Sequence, residues 1–165
     1  MAQLNGTDEI HLKAAQGWLE LGNWLEANNE LDCITPRLRL HPDVLSARWV
    51  VCSKAGNWQL ALEIAGTLAA ADPYDSFAVI RLATTLDKLN RVKEAHDFLI
   101  AAAPNFPEGY RLRYDLACFC CKLGKLKEAM HYLETAIDCP ATDDLRQKAL
   151  DDPALEPLWE NISEI

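Results

Sequence analysis

Gly22-Asn23-Trp24-Leu25-Glu26-Ala27 is followed by Gly56-Asn57-Trp58-Gln59-Leu60-Ala61, then Asn90-Arg91-Val92-Lys93-Glu94-Ala95, then Gly124-Lys125-Leu126-Lys127-Glu128-Ala129. Each step is 34 residues, for the opening Gly or Asn and for the closing Ala alike. Two positions that keep one interval through four occurrences are hard to obtain by chance. A period of this length marks stacked helical hairpins, each unable to bury its apolar face alone.

The residues on either side fit that reading. Before the third break, Val79, Leu82, Ala83 and Leu86 share one helical face at i, i+3, i+4 and i+7. Leu116, Ala117 and Cys120 repeat the pattern before the fourth. Gly or Asn at the break accepts the left-handed conformation that ends a helix. A second amphipathic helix then carries the periodic alanine, and Pro42, Pro73 and Pro107 punctuate the units. No alternating apolar segment joined by an Asn-Gly or Asp-Gly turn competes as a strand. The predicted helices lie at about 8–21, 24–38, 43–55, 58–71, 76–89, 92–103, 108–123 and 126–138. Residues 1–7 are polar and read as a flexible start, with Thr7 as the expected N-cap.

Residues 141–165 leave the period, and Pro140 arrives one residue early. Thr142 to Leu150 reads as one helix, with Asp143 and Asp144 in its first turn and Arg146 and Lys148 later, as the helix dipole favours. Asp152-Pro153 restarts a short final helix with Leu155, Leu158, Trp159 and Ile162 on one face. This segment is expected to cap the apolar end of the last hairpin.

Half of the 165 residues are apolar and the net charge is −9, which allows a sizeable core and argues against nucleic acid or an anionic membrane as partner. No apolar run approaches the roughly 20 residues of a membrane span, and the start lacks the basic and apolar regions of a secretory signal. Six cysteines without a repeating framework read as reduced thiols of a cytoplasmic protein.

With these residues in place, the chain resembles the tetratricopeptide-repeat family over residues 8–140. The third unit supplies Val79, Leu82, Ala83, Leu86, Ala95, Leu99, Ala102 and Pro107 at that family's positions. The fourth supplies Leu116, Ala117, Cys120, Ala129, Leu133 and Ala136. The resemblance implies an all-α, right-handed superhelical solenoid of antiparallel helical hairpins. Its repeats would fall at about 8–41, 42–75, 76–109 and 110–140, with 141–165 as a capping segment. Two departures carry structural expectations. Ala27 to Pro42 spans 15 residues where the next two units have 12, and Pro36 lies within the excess, so the second helix should be kinked or prolonged there. Trp49 stands where the other units have Ala15, Ala83 and Ala117, and the extra residues would open the space it needs.

Chemistry candidates are few. Cys118 and Cys121 form C-x-x-C around Cys120, but near a helix C-terminus, where the dipole opposes a thiolate. No second C-x-x-C and no H-x-x-x-H completes a zinc site, so packing is the favoured reading and no metal or cofactor is expected. His11, His41, His96 and His131 are scattered and read as surface or helix-face residues. No G-x-S-x-G, P-loop or H-E-x-x-H occurs, which points away from an enzyme. Lys54, Lys88 and Lys122 form a ladder at the ends of first helices. There they complement the dipole, and they also offer a positive strip to an acidic segment.

The resemblance implies that first helices line a concave groove that binds another protein or a peptide. By register the groove would present Leu12, Gln16, Val50, Lys54, Phe77, Ile80, Arg81, Thr84, Lys88, Arg111, Tyr114, Cys118 and Lys122. Phe77, Ile80 and Tyr114 would be apolar anchors flanked by Arg81, Arg111 and Lys122. Leu12 and Gln16 do not match the Lys and Asn of family members that clamp a chaperone's carboxylate tail, so that ligand is not expected. The function so implied is a protein-interaction scaffold or adaptor, and the lysine ladder leaves an acidic partner open. A chaperone for a bacterial secreted client is the alternative, a thiol or metal protein built on the cysteine cluster is a third reading, and a homodimer stays open.

Overall fold

The computed structural model describes residues 4–139 and 144–164. Among these residues there are ten α-helices, three short 3-10 turns and no strand, and no helix is long and apolar enough to cross a membrane. The chain divides into two compact units, Met1–Asp72 and Pro73–Ile165.

In the first unit, α1 (Gly6–Glu20) pairs with α2 (Trp24–Cys33), and α3 (Pro42–Lys54) pairs with α4 (Trp58–Ala71). Both α1 and α2 also pack on α3. The second unit repeats the scheme. There α5 (Ser76–Lys88) pairs with α6 (Val92–Ala102), and α7 (Tyr110–Lys122) with α8 (Leu126–Ile137). It then continues into α9 (Leu145–Asp151), a 3-10 turn over Pro153–Leu158, and α10 (Trp159–Glu164).

The periodic stretch does its work at the breaks. Gly22, Gly56 and Gly124 have φ of 76°, 72° and 73°, and Asn90 has 60°. Glycine meets no Cβ clash there, and Asn is among the few other residues that enter this region. The turn lets the N–H of the next residue reach back five positions: Asn23 to the Trp18 carbonyl, Asn57 to Cys52, Arg91 to Leu86 and Lys125 to Cys120, at 2.8–2.9 Å. These bonds satisfy carbonyls that a helix end leaves open. Asn23 and Asn57 then cap the following helix, their Oδ1 atoms accepting from the N–H of Glu26 and Leu60. Arg91 and Lys125 make no such side-chain bond and instead pair with Glu94 and Glu128 one turn on.

The periodic alanines explain how the hairpins close. Ala15, Ala27, Ala61, Ala83, Ala95, Ala117 and Ala129 are all fully buried, which lets paired helices approach closely. Around them, the first unit buries Leu12, Leu31, Ile34, Leu38, Val44 and Val51 as one cluster. Burying each such side chain contributes about 1.5–3 kcal/mol.

Four details differ from the sequence expectations. Helix α1 begins at Gly6, and Asn5 rather than Thr7 caps it, accepting from the N–H groups of Thr7 and Asp8. Helix α2 is neither kinked nor prolonged through Pro36. It stops at Cys33, Ile34 turns extended, and a 3-10 turn over Pro36–Leu38 takes up the extra residues. That corner is tied back to α1. The Asp8 carboxylate, fully buried, accepts from the Thr35 N–H at 2.7 Å and the Thr35 hydroxyl at 3.2 Å. Arg39 donates to the carbonyls of Ile34 and Asp32. The extra residues are therefore spent on this junction and not on a pocket for Trp49. Trp49 is only partly buried, while Ala47 and Val51 of the same helix enter the core. Finally, Leu155 and Leu158 are buried from a 3-10 turn and not from a continuous helix, with Ile162 following on α10. Pro140, Thr142 and Asp143 lie outside the described residues, and the expected helix from Thr142 is described from Leu145.

Candidate functional site

The second unit carries an open apolar hollow of about 230 Å³ between the starts of α5 and α7. Asp75 caps α5, its Oδ1 accepting from the Phe77 N–H at 2.9 Å, and so sets Phe77 on the first turn. Phe77 is 61% exposed, far more than a core aromatic. Ile80, one turn on, forms the floor and is buried. The opposite wall is the turn Phe106-Pro107-Glu108-Gly109 and the first turn of α7, with Tyr110, Arg111 and Leu112. A Cβ on Gly109 would stand 2.9 Å from the Phe106 Cβ, so only glycine lets this wall fold so tightly. The Arg113 guanidinium donates to the Pro107 carbonyl and holds the turn against α7.

Electrostatics sharpen the hollow. Arg111 is exposed on its rim, and Arg81 lies half-buried near enough to feel it. Burial lowers the Arg81 pKa, Asp75 opposes that, and the like charge of Arg111 adds to the lowering. Two guanidinium groups that repel each other attract carboxylates.

Further along α7 the surface is already taken. The 3-10 turn over Pro153–Leu158 packs on α7 and α8. Tyr114 is 4% exposed, and its hydroxyl donates to Asp152 Oδ2 at 2.8 Å. The other Asp152 oxygen caps the turn by accepting from the Ala154 N–H. Lys148 places its ammonium 4.8 Å from the centre of the Tyr114 ring, a cation–π contact. Burial and the bond to Asp152 push the Tyr114 phenol well above its ordinary range. Cys118 is raised by burial and then by Asp152, and Cys121 is pushed up to about 11 by burial. Thiols held protonated in this way are poor nucleophiles and poor redox groups.

The expected groove residues therefore separate. Phe77, Ile80 and Arg111 come together at the hollow, with Arg81 beside them. Tyr114 was expected to be an outward-facing anchor and is corrected: the chain's own C-terminal segment covers it. Cys118 is covered by the same cluster. Lys122 is not an unpaired cation, because its ammonium binds both carboxylate oxygens of Asp87 at 2.6 and 2.7 Å. Thr84 is half-buried and Lys88 exposed on α5. In the first unit, Leu12 is corrected from groove to core, while Gln16 and Lys54 are exposed and Val50 is half-buried. Sequence reasoning missed Phe106 and Tyr110. The only signal was their position around the punctuating Pro107, which gives no direction for their rings.

Asp115, one turn after Arg111, supplies a pH response. Burial raises its carboxyl to about 6, Arg111 and Lys148 pull it down, and Asp152 and Asp87 push it up. In the unfolded chain an aspartate titrates near 3.9. Between about pH 4 and pH 6 the folded state thus holds more protons than the unfolded one, and stability falls as pH rises through that window. Asp115→Asn removes this loss. It is expected to raise the unfolding free energy above pH 6 by on the order of 1–2 kcal/mol, and to change nothing below about pH 4. Urea titrations of both proteins at pH 4 and pH 7 check this; equal midpoints at pH 7 would contradict it.

No family model and no curated protein matches the chain in sequence. Solved structures do match in fold. MamA of Desulfovibrio magneticus RS-1, from its residue 41 to the end, superposes with a TM-score of 0.75 at 18% identity, over 98% of this chain and 92% of that one. TTC0263, a thermophilic TPR protein of Thermus thermophilus, gives 0.74 at 19% identity, over 94% and 82%. YrrB, a TPR protein with an unusual peptide-binding site, gives 0.70 at 18% identity, over 88% and 75%. These neighbours place the chain in the α-α superhelical class, and the 34-residue ruler, the left-handed breaks and the paired helices agree: the fold is that of the tetratricopeptide-repeat proteins.

Proposed function

We propose that this protein is an interaction scaffold that holds a segment of another protein at the Phe77–Arg111 hollow. The observation that carries the reading is an exposed aromatic over an apolar floor, with Arg111 on the rim. Aromatic and Arg residues in such a setting are typical binding anchors. The segment that fits has one apolar side chain for the hollow and carboxylates beside it for Arg111 and Arg81. The peptide-binding site of YrrB lends support from the same fold. In this reading residues 8–140 form four repeats, residues 141–165 close the last, and the protein works in the cytoplasm without catalysing a reaction.

Pull-down from the native cell extract, read by mass spectrometry, tests it with two surface variants. Phe77→Ala and Arg111→Glu both alter exposed side chains and are expected to keep the wild-type circular dichroism and melting temperature. Each is expected to lose the captured partner, with affinity about 10-fold or more weaker in a follow-up titration. A partner held equally by wild type and both variants would remove the hollow from the working surface.

A further inference from the structure

The geometry points to a divalent-metal site of the zinc type formed by His96, Cys120 and Glu128, where three helices of the second unit meet. His96 lies on α6, Cys120 in the last turn of α7 and Glu128 in the first turn of α8. One ligand atom from each lies within 4.8 Å of the others. The set combines imidazole, thiolate and carboxylate, the donors that zinc accepts, and three protein ligands leave a fourth position for water.

The imidazole carries the argument. Its side chain is 7% exposed, and Nδ1 lies 3.0 Å from the Asp97 carboxylate. A carboxylate can only accept, so Nδ1 bears the hydrogen, and in the neutral ring Nε2 presents its lone pair. That Nε2 is buried and has no hydrogen-bond partner. A buried acceptor with nothing to accept from is costly, and native structures rarely leave one. A carboxylate behind a histidine whose other nitrogen is open is the arrangement that orients imidazole toward a metal.

Charge and reach agree. Zinc bonds of about 2.0–2.3 Å place tetrahedral ligand atoms about 3.3–3.8 Å apart, so the three donors need only close slightly. Glu128 is exposed, and rotation about its side-chain bonds can supply that movement. On binding, the Cys120 thiol gives its proton to solvent, and the thiolate and carboxylate then neutralise a doubly charged cation. Lys125 now stands 3.5 Å from Glu128 and must swing aside as the metal enters. The C-x-x-C pair of the sequence is not the ligand set: Cys118 and Cys121 lie beside Asp152 of the C-terminal segment, and the thiol of Cys120 between them is the one grouped with His96 and Glu128.

Reduced, chelator-treated protein titrated with Zn²⁺ by calorimetry, and with Co²⁺ by absorbance, tests the site. Wild type is expected to bind one ion at micromolar or lower Zn²⁺, with a thiolate-to-cobalt charge-transfer band and a raised melting temperature. Cys120→Ser is expected to abolish that band, and Glu128→Gln, an exposed change that leaves the fold intact, to weaken binding at least 10-fold. His96→Gln should abolish tight binding. No binding by the folded wild type at micromolar Zn²⁺ overturns the site. So does binding of equal strength in wild type, Cys120→Ser and Glu128→Gln, which would place the ion elsewhere on the surface.

Discussion

Leu155→Ala is expected to lower the unfolding free energy by about 2–5 kcal/mol. Leu155 is fully buried and shares a cluster with Tyr114, Leu133, Leu158 and Ile162. The loss has two parts: the transfer energy of the removed methyl groups, and the cavity that rigid α7 and α8 cannot collapse to fill. The segment that holds Leu155 is a 3-10 turn followed by a six-residue helix, with little local stability of its own. Its position therefore depends on contacts with α7 and α8, and Leu155 supplies a central one. A local consequence distinguishes this from general destabilisation. Cys118 and Cys121 are buried under that segment and should react faster with a thiol reagent in the variant, while Cys52, buried in the other unit, stays protected. Urea denaturation gives the free energy and peptide mapping of the labelled protein gives the sites. Unchanged reactivity of Cys118 and Cys121 would mean that the segment stays seated without Leu155.

In the first unit, Asp8→Ala is expected to cost on the order of 2–3 kcal/mol, since hydrogen bonds to a charged group are each worth about 1.5–3 kcal/mol and a buried N–H left unpaired carries its own penalty. Asp8 ties the start of α1 to the corner at Thr35 across 27 residues of chain. Without the carboxylate, the Thr35 N–H loses its acceptor, and the 3-10 turn loses its anchor to α1. Asp8→Asn keeps one side-chain oxygen and is expected to recover part of the loss. Comparing the two separates the charge from the acceptor. Amide exchange at Thr35 should rise in Asp8→Ala; if it stays as slow as in wild type, another group holds the corner and the assignment to Asp8 fails.

Both sites show how the repeats accommodate irregular parts. Three extra residues after α2 do not distort the hairpin but become a junction. The C-terminal segment does not stand apart as a lid but uses the face of α7 that carries Tyr114 and Cys118. That occupation moves the candidate binding surface of the second unit to the start of α5 and α7, where Phe77 stays exposed.

The ruler determined the helices, the breaks and the hairpin pairing, because these follow from local rules. A positive φ asks for Gly or Asn, a 3.6-residue period asks for one apolar face, and a short turn leaves two helices no choice but to pair. The same locality misled the reading where rotation and distance decide. Trp49 sits at a core register yet lies partly outside it, because its helix buries Ala47 and Val51 instead. Tyr114 sits at a groove register yet is sealed by a residue 38 positions away. Lys122 sits on a ladder yet is bound to Asp87, and His96 reads as a surface or helix-face residue yet is buried, with a ring nitrogen within 4.8 Å of donor atoms of Cys120 and Glu128. Periodicity describes each hairpin against its own axis. Which side chains meet across hairpins depends on how the packed helices turn about those axes and where a non-repeating tail comes to rest, and only the tertiary structure decides that.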